Sequence, residues 1–332
     1  MQIKNTRMFR GFVAVITLAL AAGVLGGCAA PATKAVALAS HDSFIIPDEL
    51  INKFKTDTGF YLEGGAKLGD TGELTNKLVL TKDSPVADVV FGIDNTFAGV
   101  ATANGIIDGE LVAIDYADVC FNYDKRWFAK AGLTPPTTWR ELTDKKYEGL
   151  TVVQNPTTSS TGLAFLFATI GALGEDNWPL WWAKMRDNGL KVTAGWEDAY
   201  YIEFTAGGGA GKYPIVLSYS SSPAFTVDAA DGDSTTASIN SECFRQIEYA
   251  GVLKNAKNPE GARALLAFMQ TKEFQAAMPG ANYVYPIDES VELPEAWAKF
   301  APASASFVDV SGLDFDANRK KWQKQWLEIV QG

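Results

Sequence analysis

The chain has 332 residues, 47% of them hydrophobic and 12% aromatic, which is enough apolar material for one large domain or two ordinary ones. It carries 29 Lys and Arg against 39 Asp and Glu, a formal net charge of −10. That balance argues against a nucleic-acid partner, whose binding face is basic, and is compatible with a cationic ligand. The lone histidine, His41, excludes a multi-histidine metal site.

The first residues read as an export signal: Lys4, Arg7 and Arg10, an apolar run over 11–24, then Leu25-Gly26-Gly27-Cys28. A Cys directly after Leu-Gly-Gly resembles the bacterial lipobox. Residues 1–27 are then a lipoprotein signal peptide, Cys28 carries lipid, and 28–34 form a tether at the outer face of the cytoplasmic membrane. A plain signal with an unrelated Cys is one alternative. A transmembrane helix is another, though the run is shorter than the ~20 residues a span needs.

Beyond the tether, strand-like and helix-like segments alternate. Residues 35–40 read as a strand, 47–58 as a helix stopped by Gly59, 60–66 as a strand, 72–81 as a helix, 87–92 as a buried strand and 97–103 as a short helix. This βαβαβα series predicts a mainly parallel sheet covered by helices on both faces. A long strand follows over 111–123, then helix and loop over 126–149. The next segments are a strand at 151–153, helices at 163–173 and 178–188, and strands at 191–193 and 213–218. A strand over 243–251 leads to helices at 258–271 and 273–278, and 315–330 form a last amphipathic helix. Trp178, Trp181 and Trp182 lie at helical spacing and read as core. Arg319, Lys320, Lys321 and Lys324 read as a solvated helix face.

The long strands at 111–123 and 243–251 separate two α/β sets, and both are expected to cross between them. The expected fold is therefore α/β with two lobes, crossover hinge strands and a cleft at the carboxyl ends of the strands, where such folds bind ligands. Lobe 1 is 35–118 with 246–312, lobe 2 is 119–245, and the helix in 313–332 is assigned to neither.

The residues at the strand ends resemble the periplasmic thiamine-binding proteins, which have the type II periplasmic-binding-protein fold. The likeness is carried by Ser40-His41-Asp42-Ser43-Phe44, by Ala87 through Asn95, and by Ile114-Asp115-Tyr116 with Asn122-Tyr123-Asp124-Lys125. It continues in Asn155 through Leu163, Gly195-Trp196-Glu197-Asp198-Ala199-Tyr200, Val216 through Ala224, and Gly280 through Pro286. It covers nearly all of the chain after residue 28. The more specific stretches are Gly-Trp-Glu-Asp-Ala-Tyr and Leu-Ser-Tyr-Ser-Ser-Ser-Pro. Other family members carry Tyr in place of His41 and Phe225, and Trp in place of Tyr283. They also have a Trp after the position of Phe44.

The resemblance implies a monomeric solute-binding lipoprotein with no cofactor and no enzymatic activity. It captures thiamine or a thiamine phosphate and delivers it to the membrane permease of an ABC importer. A flat cation needs aromatic faces, and Trp196, Tyr219, Phe225 and Tyr283 stand where the family places them or next to it. Asp70 and Thr71 are expected against the ligand, with helix capping as their other reading. Asp42, Asp94 and Asp115 are candidates for balancing the thiazolium charge, with a cap as the simpler role for Asp94. Ser159 and Ser160 precede an apolar helix whose free amides suit an anion or hydroxyl. Ser220 and Ser222 repeat that arrangement.

Two other readings stay open. A Gly-rich stretch over 206–212 lacks the residues of a phosphate-binding loop. Tyr200-Tyr201 is similar to the tyrosine pair of ferric-ion-binding proteins but does not follow the equivalent strand, which disfavours iron and leaves another small cation or ferric ion as the alternative ligand to thiamine. Cys120 and Cys243 both fall on the crossover strands. They form a disulfide if their Cα atoms lie within ~7 Å. If Cys120 is instead free near a carboxylate such as Glu248, the chain is similar to thiaminase I, which has this fold and a Cys nucleophile.

Overall fold

The computed structural model describes residues 33–332 apart from Gly209 and Ala305. The expected signal, lipid site and tether up to residue 32 lie outside the described residues.

One mixed sheet organises the chain. Its strands are β1 (Ala35–Ser40), β2 (Tyr61–Lys67), β3 (Val89–Asp94), β4 (Val112–Asp124), β5 (Thr151–Gln154), β6 (Lys191–Thr193), β7 (Ile215–Tyr219), β8 (Thr236–Val252) and β9 (Tyr285–Pro286). Their order is β2-β1-β3-β8-β4-β7-β5-β6, with β9 pairing β4. The helices are α1 (Asp48–Thr58), α2 (Thr71–Leu80), α3 (Ala98–Ala103), α4 (Lys125–Ala131), α5 (Ser160–Leu173), α6 (Trp178–Asp187), α7 (Pro259–Met269), α8 (Lys272–Asn282), α9 (Glu295–Phe300) and α10 (Phe315–Val330).

The two flanks follow the βα pattern. β1 pairs in parallel with β2 and β3, and β5 in parallel with β6 and β7. The centre departs from the expected mainly parallel sheet. β4 and β8 are antiparallel to each other and to β7 and β3. A strand that leaves one flank and a strand that returns run in opposite senses, so they pair antiparallel where they meet. Their 13 and 17 residues, about 3.4 Å each, let both run through the middle of the molecule.

β8 starts seven residues before its expected start. The segment Thr236–Glu242 has no clean apolar alternation, yet it pairs with the second half of β4. The register slips between Val119 and Phe121. There Cys120 and Cys243 are disulfide-bonded, with Cα atoms 5.0 Å apart. Neighbouring Glu242 takes a left-handed φ of 53° and its carboxylate accepts from Arg140 Nε and Nη2 at 2.8 and 2.7 Å. The bond takes up the thiol that a thiaminase-like nucleophile requires.

Local chemistry explains the elements. α1 has Asp48 and Glu49 in its first turn, where the helix dipole favours acids, and ends at Gly59 with φ 71°. Every residue of β3 is buried, as suits a strand covered on both faces. α5 is buried from Ser160 through Ile170, so it is apolar all round rather than amphipathic. Trp178, Trp181 and Trp182 pack in the core as read from their spacing. The basic face of α10 is corrected at one position: Arg319 is buried over the Phe97 ring, while Lys320, Lys321 and Lys324 are exposed. α10 docks on α6 and α5 through Trp326 against Trp182 and Phe315 stacked on Phe167 at 4.1 Å.

Candidate functional site

A cavity of about 450 Å³ opens where the carboxyl ends of β1, β6 and β7 meet the central strands β4 and β8. Its size is that of a small-molecule site. Ten of the thirteen residues anticipated for it line it: Asp42, Asp70, Thr71, Asp115, Ser160, Trp196, Tyr219, Ser222, Phe225 and Tyr283. Asp94, Ser159 and Ser220 do not. Asp94 caps the turn into α3, accepting from Thr96 N and Oγ1 at 3.0 and 2.6 Å. Ser159 is the buried N-cap of α5, and Ser220 lies behind the wall, 3.3 Å from the Tyr285 hydroxyl.

One wall is aromatic. Trp196 stacks on Tyr200 at 4.9 Å, and its ring lies 6.1 Å from that of Tyr219. The indole Nε1 donates to Ser218 Oγ at 2.9 Å, which is 2.8 Å from Ser222 Oγ. Tyr219 is pinned by a 3.0 Å contact between its hydroxyl and Thr161 Oγ1. Phe225 and Tyr283 meet edge to face at 5.1 Å. Tyr283 sits at the C-terminal end of α8 with φ 55°, a left-handed conformation uncommon for a bulky residue. The preceding Asn282 holds that turn by exchanging hydrogen bonds of 2.8 and 2.9 Å with the backbone of Ile45.

Asp70 joins the two flanks. It is the N-cap of α2 and accepts from Thr71 N at 2.7 Å. The same carboxylate accepts from Ser160 N at 3.2 Å and Trp196 N at 2.9 Å on the far flank. The free amide of α5 that was expected to face a ligand anion therefore faces the protein's own carboxylate. Burial raises the pKa of Asp70, and the hydrogen bonds from Trp196 and Ser160 oppose this.

The floor is ionic and was only partly legible from sequence. His41 Nε2 lies 3.3 Å from Glu248 Oε1. Burial lowers the imidazole pKa, but the Glu248 and Asp70 carboxylates outweigh it, and the net shift is upward. The placement needs Gly92: at φ 95°, any Cβ there would collide with the His41 ring. Asp115 on β4 faces Glu248 across the strand pair, and both of its oxygens are buried without a hydrogen-bond partner. Burial first, and then the Glu248 charge, push its pKa well up. Asp94, beneath, is raised to about 6, chiefly by burial. Glu248 thus partners His41 and Asp115 rather than Cys120.

Glu248, Gln246, His41 and Tyr201 were not anticipated as ligand contacts, yet all line the cavity. The signal available was the period of two along β8, which puts Gln246 and Glu248 on one face. Seven carboxylates line the cavity (Asp42, Asp70, Glu73, Asp115, Glu197, Asp198 and Glu248), and His41 is the only basic side chain among the lining residues.

A family model described as bacterial extracellular solute-binding protein matches residues 92–309. The thiamine-binding periplasmic protein of Salmonella typhimurium is 31% identical over 91% of this chain and 96% of its own length. That of Escherichia coli is 29% identical over the same shares. A solved structure of a periplasmic thiamin binding protein, 27% identical, superposes with a TM-score of 0.78 over 89% of this chain and 96% of that one.

Proposed function

The chain belongs to the bacterial extracellular solute-binding proteins, and from that premise we propose that it captures thiamine in the cavity between its flanks and delivers it to an ABC permease. One observation carries the reading: Trp196, Tyr219, Phe225 and Tyr283, from separate segments, share a single opening with a carboxylate-lined floor. A thiazolium cation against aromatic faces gains about 0.5–2 kcal/mol per ring once desolvated. The acidic lining complements the same charge.

The two flanks are read as lobes, 35–118 with 246–312 and 119–245. These boundaries fall on a register pair, Asp118 opposite Arg245, at the middle of the crossover strands. Asp70, bonded to Ser160 and Trp196 across the gap, supports a closed state reached by hinge motion of the lobes. Lipid on Cys28 would hold the monomer at the outer face of the membrane, beside its permease.

Calorimetry on protein beginning after residue 28, with thiamine and its mono- and diphosphate, tests the reading. Saturable one-site binding of thiamine is expected. No binding of any of the three compounds would leave the fold standing and remove the function.

A further inference from the structure

The aromatic wall and the ionic floor offer a ligand different things. Rings serve a cation that has no hydrogen to donate. The floor instead holds buried polar groups that the protein leaves without partners. Gln246, 1% exposed, lines the cavity with Oε1 unpartnered. Glu248, two residues on and therefore on the same face of β8, has one oxygen against His41. Asp115 lies directly across from Glu248 with both oxygens unpartnered.

Two adjacent buried carboxyls do not both ionise easily. Asp115 is fully buried, whereas the Glu248 side chain is 14% exposed and has His41 at 3.3 Å. The proton therefore resides on Asp115. Asp94 on β3, which pairs with Glu248 on the other side, is occupied by Thr96 and Gln246 and adds a further reason for a single charge here.

We propose that the Glu248 carboxylate, steadied by His41 and by Asp115 across the strand pair, is together with Gln246 the acceptor pair that reads the amino group of the ligand's pyrimidine ring. This rests on the thiamine reading and deepens it. Exocyclic N–H donors land on Glu248 and the Gln246 carbonyl, and the thiazolium is left to Trp196, Tyr219, Phe225 and Tyr283. Glu248 is then the specificity-determining carboxylate, and Asp115 is a positioning residue behind it.

The test is calorimetry on the exported protein with two compounds: thiamine and its analogue bearing hydrogen in place of the pyrimidine amino group. Wild type is expected to bind the analogue about ten- to a hundredfold more weakly, the range for a hydrogen bond to a charged group. Glu248→Gln is expected to lose about as much for thiamine and to distinguish the two compounds poorly. Asp115→Asn, whose amide can still donate to Glu248 as a protonated carboxyl does, is expected to weaken thiamine binding less than Glu248→Gln and to keep the discrimination between the two compounds. Wild type binding both compounds equally would overturn the inference, as would Glu248→Gln separating them as wild type does. The wild-type comparison stands even if a variant fails to fold. An Asp115→Asn loss as large as that of Glu248→Gln would overturn the placement of the proton. Wild type failing to bind thiamine at all would remove the parent reading and this inference with it.

Discussion

The aromatic wall and the ionic floor of the cavity are built from opposite kinds of structure. Of the wall residues, Phe225 and Tyr283 stand in turns, Trp196 opens a short helical segment and Tyr219 ends β7, and they are fixed by short polar contacts such as Trp196 to Ser218 and Asn282 to Ile45. The floor residues Asp115, Gln246 and Glu248 stand on the two central strands, in the most heavily paired part of the sheet. A wall partly on turns can adjust to a flat ring. A floor on paired central strands is held by their ladder. The buried carboxyls Asp115 and Glu248 are thus placed where the sheet is most fully paired, and the ring edges of Phe225 and Tyr283 where the chain turns.

The largest test of this division falls on the wall. Trp196→Ala removes both a ring face and the stacking partner of Tyr200, and thiamine affinity is expected to drop about a hundredfold, as for a central aromatic anchor. A drop below threefold in calorimetry would move the binding surface elsewhere. Next comes the residue that ties wall to floor. Asp70→Ala leaves the Ser160 and Trp196 amides unpaired in the closed form, and affinity should fall about tenfold. The fall should come with a more open average shape in small-angle scattering, and an unchanged radius of gyration would argue against Asp70 as the tie.

The floor has its own signature without ligand. Asp115 holds its proton more tightly folded than unfolded, where carboxyls titrate near about 4. The folded state therefore binds more protons above that pH, and stability falls as pH rises. His41 acts in the same direction: its contribution is full below about 6.5 and is lost as pH climbs through its raised folded value. The denaturant midpoint should be lower at pH 8 than at pH 5, and Asp115→Asn should flatten that decline; an equal decline in the variant would put the protonated group elsewhere. The smallest effect is expected at Phe225, 42% exposed at the cavity edge. Phe225→Tyr keeps the ring, and affinity should stay within about threefold of wild type. A larger change would mean that the wall is less adaptable than its turns suggest.

Much of this was readable one segment at a time. The helix at 48–58 announces itself by Pro47, two acids and Gly59. Asp70 reads as a cap from its place before Thr71. The aromatic residues stand out through the likeness to the thiamine-binding proteins. Other features were hidden because their partners are distant in sequence. The first half of β8 has no apolar alternation and becomes a strand only because β4 lies beside it. Arg319 looks like surface until Phe97 and the Thr96 carbonyl meet it.

The sequence by itself determined the alternation of strands and helices, the caps and the class of fold, since these depend on neighbours within a few residues, and its likeness to a known family pointed to the aromatic residues of the cleft. Only the tertiary structure decided that Asp70 closes on the far flank, that Cys120 finds Cys243, and that His41, Glu248 and Asp115 share one floor. Burial and opposing charge act between groups brought together by strand pairing, and no local pattern records which groups those will be.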